Sequence, residues 1–144
     1  MFSKIAVVLN DLPESQRALR AAIDLARKFD ASLATVSILG DPPAYTSFAI
    51  LIDPGVPVAM REDQRRLQSL LHEEAKKLAH EHGVSATSAI VEGRETQAIL
   101  HFLREQKVDL LVIGLHQHDF YVSRLWSSVY DVAQGAPCSV LGMH

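Results

Sequence analysis

An open parallel α/β sheet with helices on both faces is the fold class this sequence predicts, and three observations carry the prediction. Short apolar runs rich in β-branched residues alternate with longer stretches whose apolar residues recur every three or four positions. Gly, Pro, Asn and Asp fall at the joints between them. The run Asp109 to Leu115, DLLVIGL, is apolar almost throughout, as a strand buried on both faces of a parallel sheet must be. The resulting order is β-α-β-α-β-α-β-α-β, and right-handed crossovers wind it into one five-stranded sheet. No internal repeat or linker interrupts it, so residues 1–144 read as a single domain.

Each element has its own warrant. Ile5 to Leu9, IAVVL, is the first strand, and Asn10-Asp11-Leu12-Pro13-Glu14-Ser15 turns the chain. Pro13 suits a first helical turn, and Glu14 complements the positive end of the helix dipole. Ala18, Leu19, Ala22, Leu25, Ala26 and Phe29 then make one apolar stripe, closed by Asp30-Ala31. Leu33 to Leu39 is the second strand. Gly40 to Pro57 carries four prolines and two glycines and reads as an irregular loop, whose Tyr45, Phe48, Ile50, Leu51 and Ile52 are expected to pack on the domain. A long helix over about Val58 to His82 places Leu67, Leu70, Leu71, Ala75, Leu78 and Ala79 inward, with Gly83 ending it. Ala86 to Val91 is the third strand. The next helix turns Ala98, Ile99, Phe102 and Leu103 inward, and Asp109 to Leu115 is the fourth strand. The last helix, capped by Ser123 or a neighbour, turns Leu125, Val129, Val132 and Ala133 inward. Gly135-Ala136-Pro137 breaks it, and Cys138 to Met143 is the fifth strand.

Composition narrows the function classes. A net charge of −3 leaves no basic face for nucleic acid. One cysteine, Cys138, excludes an internal disulfide framework and a cysteine-built zinc site, which points to a reducing interior. Strand-like residues start by Ile5, so no signal peptide is expected, and no apolar run reaches the roughly 18 to 20 residues of a membrane span. The expectation is a cytoplasmic protein with neither membrane nor nucleic-acid partner.

Open sheets bind ligands at the carboxyl ends of their strands, where the winding reverses. If the first and fourth strands are neighbours there, the pocket is built from Asn10-Asp11 and the loop after Gly114. The familiar phosphate cradles are missing from the sequence. No Gly-x-Gly-x-x-Gly follows the first strand, and no Gly-x-x-x-x-Gly-Lys-Ser/Thr occurs. Asp11 and Glu14 would repel an anion. A phospho-acceptor site would want an Asp ending the third strand, which instead ends Ile90-Val91-Glu92-Gly93.

The segments IAVVLNDLPESQRAL, VEGRETQAIL, VDLLVIGLHQ, SSV and GAPCSVLGM together resemble the universal stress protein family over nearly the whole length. The resemblance implies a Rossmann-type sheet of the adenine nucleotide alpha hydrolase-like kind, usually a homodimer, in a family where many members bind ATP. Nucleotide-binding members share a loop after the fourth strand of the form Gly, two residues, Gly, nine residues, Gly, then Ser or Thr. Gly114 and Ser128 match the outer positions, whereas Gln117 and Ser127 occupy the inner glycines. The strand-one Asp of the family falls on Asn10. Gly114, His116, Gln117, Asp119, Phe120, Ser123, Arg124, Leu125, Ser127 and Ser128 are similar to the subgroup named for universal stress protein A, whose members lack the full glycine pattern and are regarded as not retaining ATP. A β-carbon at Gln117, and less severely at Ser127, stands where backbone would have to approach phosphate. Phe120, Tyr121 and Trp126 would fill the vacated space. The implied cofactor is none, with ATP as the alternative; if a nucleotide is held, Asn10, Asp11, Val36, Gly114, His116, Gln117, Ser127 and Ser128 surround it.

Other readings of these residues compete. His116, His118 and Asp119 are poor metal ligands, because alternate residues of an extended loop face opposite ways and zinc needs three or four convergent donors. Ser127-Ser128 with His116 would make a small hydrolase only with an oriented base, and no Gly-x-Ser-x-Gly elbow is present. Helix-entry serines commonly satisfy backbone donors, and their phosphorylation stays open. Cys138 reads as a small buried hydrophobe rather than a reactive thiol, and Phe120, Tyr121, Trp126 and Tyr130 as packing. The fifth strand would be an exposed apolar edge unless a second copy covers it, so a two-fold homodimer is expected through Val140, Leu141 and Met143. Three functions follow: a non-catalytic stress-response homodimer acting through unidentified protein partners, a nucleotide-dependent regulator, or a hydrolase.

Overall fold

The computed structural model describes residues 1–40, 53, 55–115 and 130–144. In chain order these form β1 (Lys4–Val8), α1 (Pro13–Phe29), β2 (Ser32–Leu39), α2 (Gly55–Glu81), β3 (Ala86–Glu92), α3 (Glu95–Glu105), β4 (Leu110–Gly114), a helical segment over 130–135, and β5 (Ser139–Met143). The expected loop residues Tyr45, Phe48, Ile50, Leu51 and Ile52, and Leu125 and Val129 of the last helix, lie outside the described residues.

All strand pairs are parallel, in the order β3-β2-β1-β4-β5. The expected neighbours do meet: Ile5 pairs with Leu110 and Val7 with Val112. The chain winds outward from β1 to β3, then returns to β1's other side, so the winding reverses between β1 and β4. The strand pleat sends alternate residues to two cores. Ile5, Val7, Leu33 and Val112 pack against Ala18, Leu19, Ala22 and Ile23 of α1 and Ala75 and Ala79 of α2. Ala6, Val8, Val36 and Leu111 pack on the opposite face against Ile99, Phe102 and Leu103 of α3 and Val132.

Three of the helices end alike. Gly83 stands at a φ of 75°, and the Val84 and Gly83 amides donate to the carbonyls of Ala79 and His80, closing α2 as expected. The same pair of bonds recurs at Asp30-Ala31 after α1 and at Lys107-Val108 after α3. There, however, non-glycine residues take the left-handed conformation, with φ of 52° and 53°.

Several sequence expectations need correction. The second long helix starts at Gly55 rather than Val58, with Pro57 in its first turn, where a missing amide costs nothing. Leu67 and Leu70 are not inward: they are 63% and 57% exposed. The sheet-facing line of α2 instead runs through Gln68, His72, Ala75 and Ala79, whose spacing of four, three and four suits one helical face. Polar partners on the sheet, the Ile38 carbonyl and Thr35 Oγ1, receive the first two. Phe29 is exposed and meets Phe2 edge-on with ring centroids 5.4 Å apart. Ala133 faces outward, and only Val132 of that segment reaches the core.

Candidate functional site

At the reversal point the β1–α1 loop is closed by its own groups. Leu12 N–H donates to Asn10 Oδ1 at 2.9 Å, a local turn that Asn side chains form readily. Asn10 N–H donates to Ser15 Oγ at 2.9 Å, and Ser15 Oγ in turn donates to the Val8 carbonyl at 3.3 Å. Ser15 N–H bonds Leu12 O, and Pro13, the first residue of α1, has no amide to offer. An incoming phosphate would therefore compete with bonds already made. Asn10 and Asp11 are both exposed at this edge.

Gly114 closes the other side. A β-carbon built on it would lie 2.7 Å from the carbonyl carbon of Glu14 and 2.9 Å from Ser15 N. This glycine is accordingly required by the contact between β4 and the first turn of α1. Beside it a cleft of about 400 Å³ is lined by Glu14, Arg17, Leu115 and His144. Among the described residues Arg17 is the cation of that cleft, and it is shared: Nε donates to the His144 carbonyl at 2.6 Å, and the guanidinium lies 3.4 Å from Glu14 Oε1.

Val36 sits on β2 with its side chain fully buried, and its carbonyl accepts from Leu9 N–H at 2.8 Å. His116, Gln117, Ser127 and Ser128 lie outside the described residues. The structure thus brings Asn10, Asp11 and Gly114 to one edge and holds Val36 within the sheet beneath. Sequence reasoning placed Ser15 in the turn but missed the role of its hydroxyl, and it missed Arg17; the signal was a Ser and an Arg in the first two turns of α1, in reach of the strand end. At the opposite sheet edge Asp109 accepts from Ser3 N–H, Ser3 Oγ and Lys4 N–H at 2.8, 2.8 and 3.1 Å. Burial pushes its carboxyl up, yet these bonds outweigh it and hold the group below its usual range. Cys138 is half-buried, and burial, aided by Asp109, pushes its thiol up against a backbone hydrogen bond from Leu111, which disfavours the reactive thiolate.

The model of the universal stress protein family matches residues 1–143. The chain belongs to the universal stress protein family. It is 29% identical over 140 residues to Universal stress protein C of Salmonella typhimurium, covering 97% of this chain and 94% of that one. Among solved structures, Universal stress protein UspA from Lactobacillus plantarum superposes with a TM-score of 0.82 at 17% identity, over 99% of this chain and 98% of that one. The universal stress protein from Archaeoglobus fulgidus in complex with dAMP gives a TM-score of 0.66 at 20% identity, over 99% and 98%. Membership makes this universal stress protein a stress-response protein, and the structural likenesses show the shared fold. Among the described residues, no helix is long and apolar enough to cross a membrane.

Proposed function

We propose that this universal stress protein is a non-catalytic cytoplasmic homodimer that acts through protein contacts and does not retain ATP. One observation carries the reading: at the edge where phosphates would approach, the amides of Asn10 and Leu12 are already donated within the β1–α1 loop, beside the carboxylates of Asp11 and Glu14. Gly114 adds support, because its place in the phosphate-binding pattern has a packing explanation that needs no nucleotide. Gln117 and Ser127, in place of two glycines, act in the same direction.

For the dimer, β5 is an edge strand, with Leu141 exposed while Val140 and Met143 pack partly into the two cores. A second copy of β5 would satisfy its free backbone groups and cover Leu141. Sedimentation at micromolar concentration is expected to give a dimer, and a monomer would overturn this part.

The rival reading is a nucleotide-dependent regulator, favoured by the dAMP complex of the Archaeoglobus fulgidus protein. Calorimetric titration with ATP and magnesium, together with nucleotide extraction from the purified protein, separates the two. No heat and no extracted nucleotide are expected. Micromolar affinity would overturn the proposal in favour of the regulator.

A further inference from the structure

His72 lies on the face of α2 that packs on β2 and β3, and it is only 3% exposed. Its Nδ1 is 2.7 Å from Thr35 Oγ1, which is itself 3.3 Å from the Thr87 carbonyl. A carbonyl only accepts, so the Thr35 hydrogen goes to Thr87 and Thr35 accepts from Nδ1–H. Nε2 is then a bare lone pair, and it is buried without a partner among the described residues. One turn earlier, Gln68 donates Nε2 to the Ile38 carbonyl at 3.1 Å, while its Oε1 is likewise buried and unmet. Immediately alongside is a cleft of about 310 Å³ lined by Arg65, Ser69, His72, Glu73, Ser88 and Ile90. The buried Nε2 thus belongs to a side chain that lines a water-accessible cleft.

We propose that the layer formed by α2 and β3 is a proton-operated hinge: a proton on His72 lifts the N-terminal half of α2 from β3 and lets water from the neighbouring cleft reach Nε2. The neutral imidazole tolerates a dry Nε2. A charged Nε2–H with no acceptor does not, because a buried unpaired charge costs far more than a buried lone pair. Opening lets water accept from Nε2–H.

The attachments of α2 determine which part moves. Ala75 and Ala79 anchor its C-terminal half in the core. Among the described residues, the N-terminal half turns Leu67 and Leu70 to solvent and is tied to the sheet by Arg61 and Arg65 on Glu92 and by Gln68 on the Ile38 carbonyl. Ion pairs that exposed hold only weakly, because water screens them. The charged groups around His72 are Arg65, Glu73 and Lys76 from α2 and Glu92 from β3; β2 presents the Thr35 hydroxyl, among the described residues. Burial holds the imidazole below its ordinary 6.5, Lys76 adds to this, and Glu73 opposes it. The closed form is therefore favoured above pH 6.5, and that preference is lost as pH falls toward the folded value.

Hydrogen exchange between pH 7.5 and pH 5, corrected for intrinsic rates, tests the hinge. The opening constant of amides in residues 61–74 and 86–92 is expected to rise as pH falls below 6.5, by at most about tenfold per pH unit, while β1 and β4 stay closed. His72→Asn keeps an amide donor where Nδ1 stands but lacks Nε2, and it is expected to flatten this dependence. An NMR titration of the wild-type imidazole, which needs no variant, is expected to show His72 taking up its proton as those amides open. Unchanged α2 exchange down to pH 5, an equal rise in His72→Asn, simultaneous opening of β1 and β4, or an imidazole midpoint at or above 6.5 would each overturn the hinge.

Discussion

A β-carbon on Gly114 would lie 2.7 Å from the carbonyl carbon of Glu14, so the end of β4 and the first turn of α1 meet backbone to backbone. Contact that close leaves no flexible side chain to yield. Gly114→Ala is therefore expected to push α1 from the sheet and destabilise the protein by about 1–3 kcal/mol, the range of overpacked cores. Urea denaturation measures it, and an unchanged midpoint would contradict the contact.

Ser15 is 2% exposed and its hydroxyl serves both the Asn10 amide and the Val8 carbonyl. Removing it in Ser15→Ala leaves a strand end and a loop amide short of a partner. The expected cost is about 1–3 kcal/mol. Amide exchange at Asn10 should quicken with it; a melting temperature equal to wild type would refute the role.

The Asp109 carboxylate ties the start of β1 to β4 through Ser3 and Lys4. Its folded-state acidity is strengthened, so its contribution is complete above the ordinary carboxyl value near 3.8 and disappears as pH falls through the lower folded value. Asp109→Asn should lower stability at neutral pH and remove this part of the acid dependence. Urea midpoints recorded between about pH 6 and pH 2 compare the two profiles, and parallel curves would contradict the assignment.

Lys107 holds a φ of 53° where glycine would be free of strain. A left-handed side-chain residue costs roughly 1–2 kcal/mol, while glycine loses about 0.5–1 kcal/mol more chain entropy on folding. Lys107→Gly is thus expected to stabilise by about 0.5 kcal/mol, seen as a small rise in urea midpoint. A loss of stability would mean that the Lys107 side chain contributes more than its backbone costs.

The order of elements was legible because strand and helix leave different apolar periods, and Ile5–Leu9 or Ala18–Ala26 show them cleanly. The placement of Asn10 and Gly114 at one edge followed from topology alone. On α2 the same reasoning chose Leu67 and Leu70 over Gln68 and His72, since hydrophobicity cannot foresee that Thr35 and the Ile38 carbonyl wait on the sheet for polar partners. Gly114 was read against a ligand pattern, whereas the atoms that demand it belong to Glu14 and Ser15, a hundred residues away in sequence. That kind of contact exists only once the chain is folded.

The strand made first stands in the middle of the sheet, and its bonds to Asp109 close a span of 105 residues. During synthesis β1 can zip to β2 early, but its other flank stays bare until most of the chain has emerged from the ribosome. Such an unpaired flank is where misassociation between nascent copies would start. Pulse-labelled refolding should record protection along β1 and β2 before β4, and simultaneous protection of all three would mean the sheet assembles in one step.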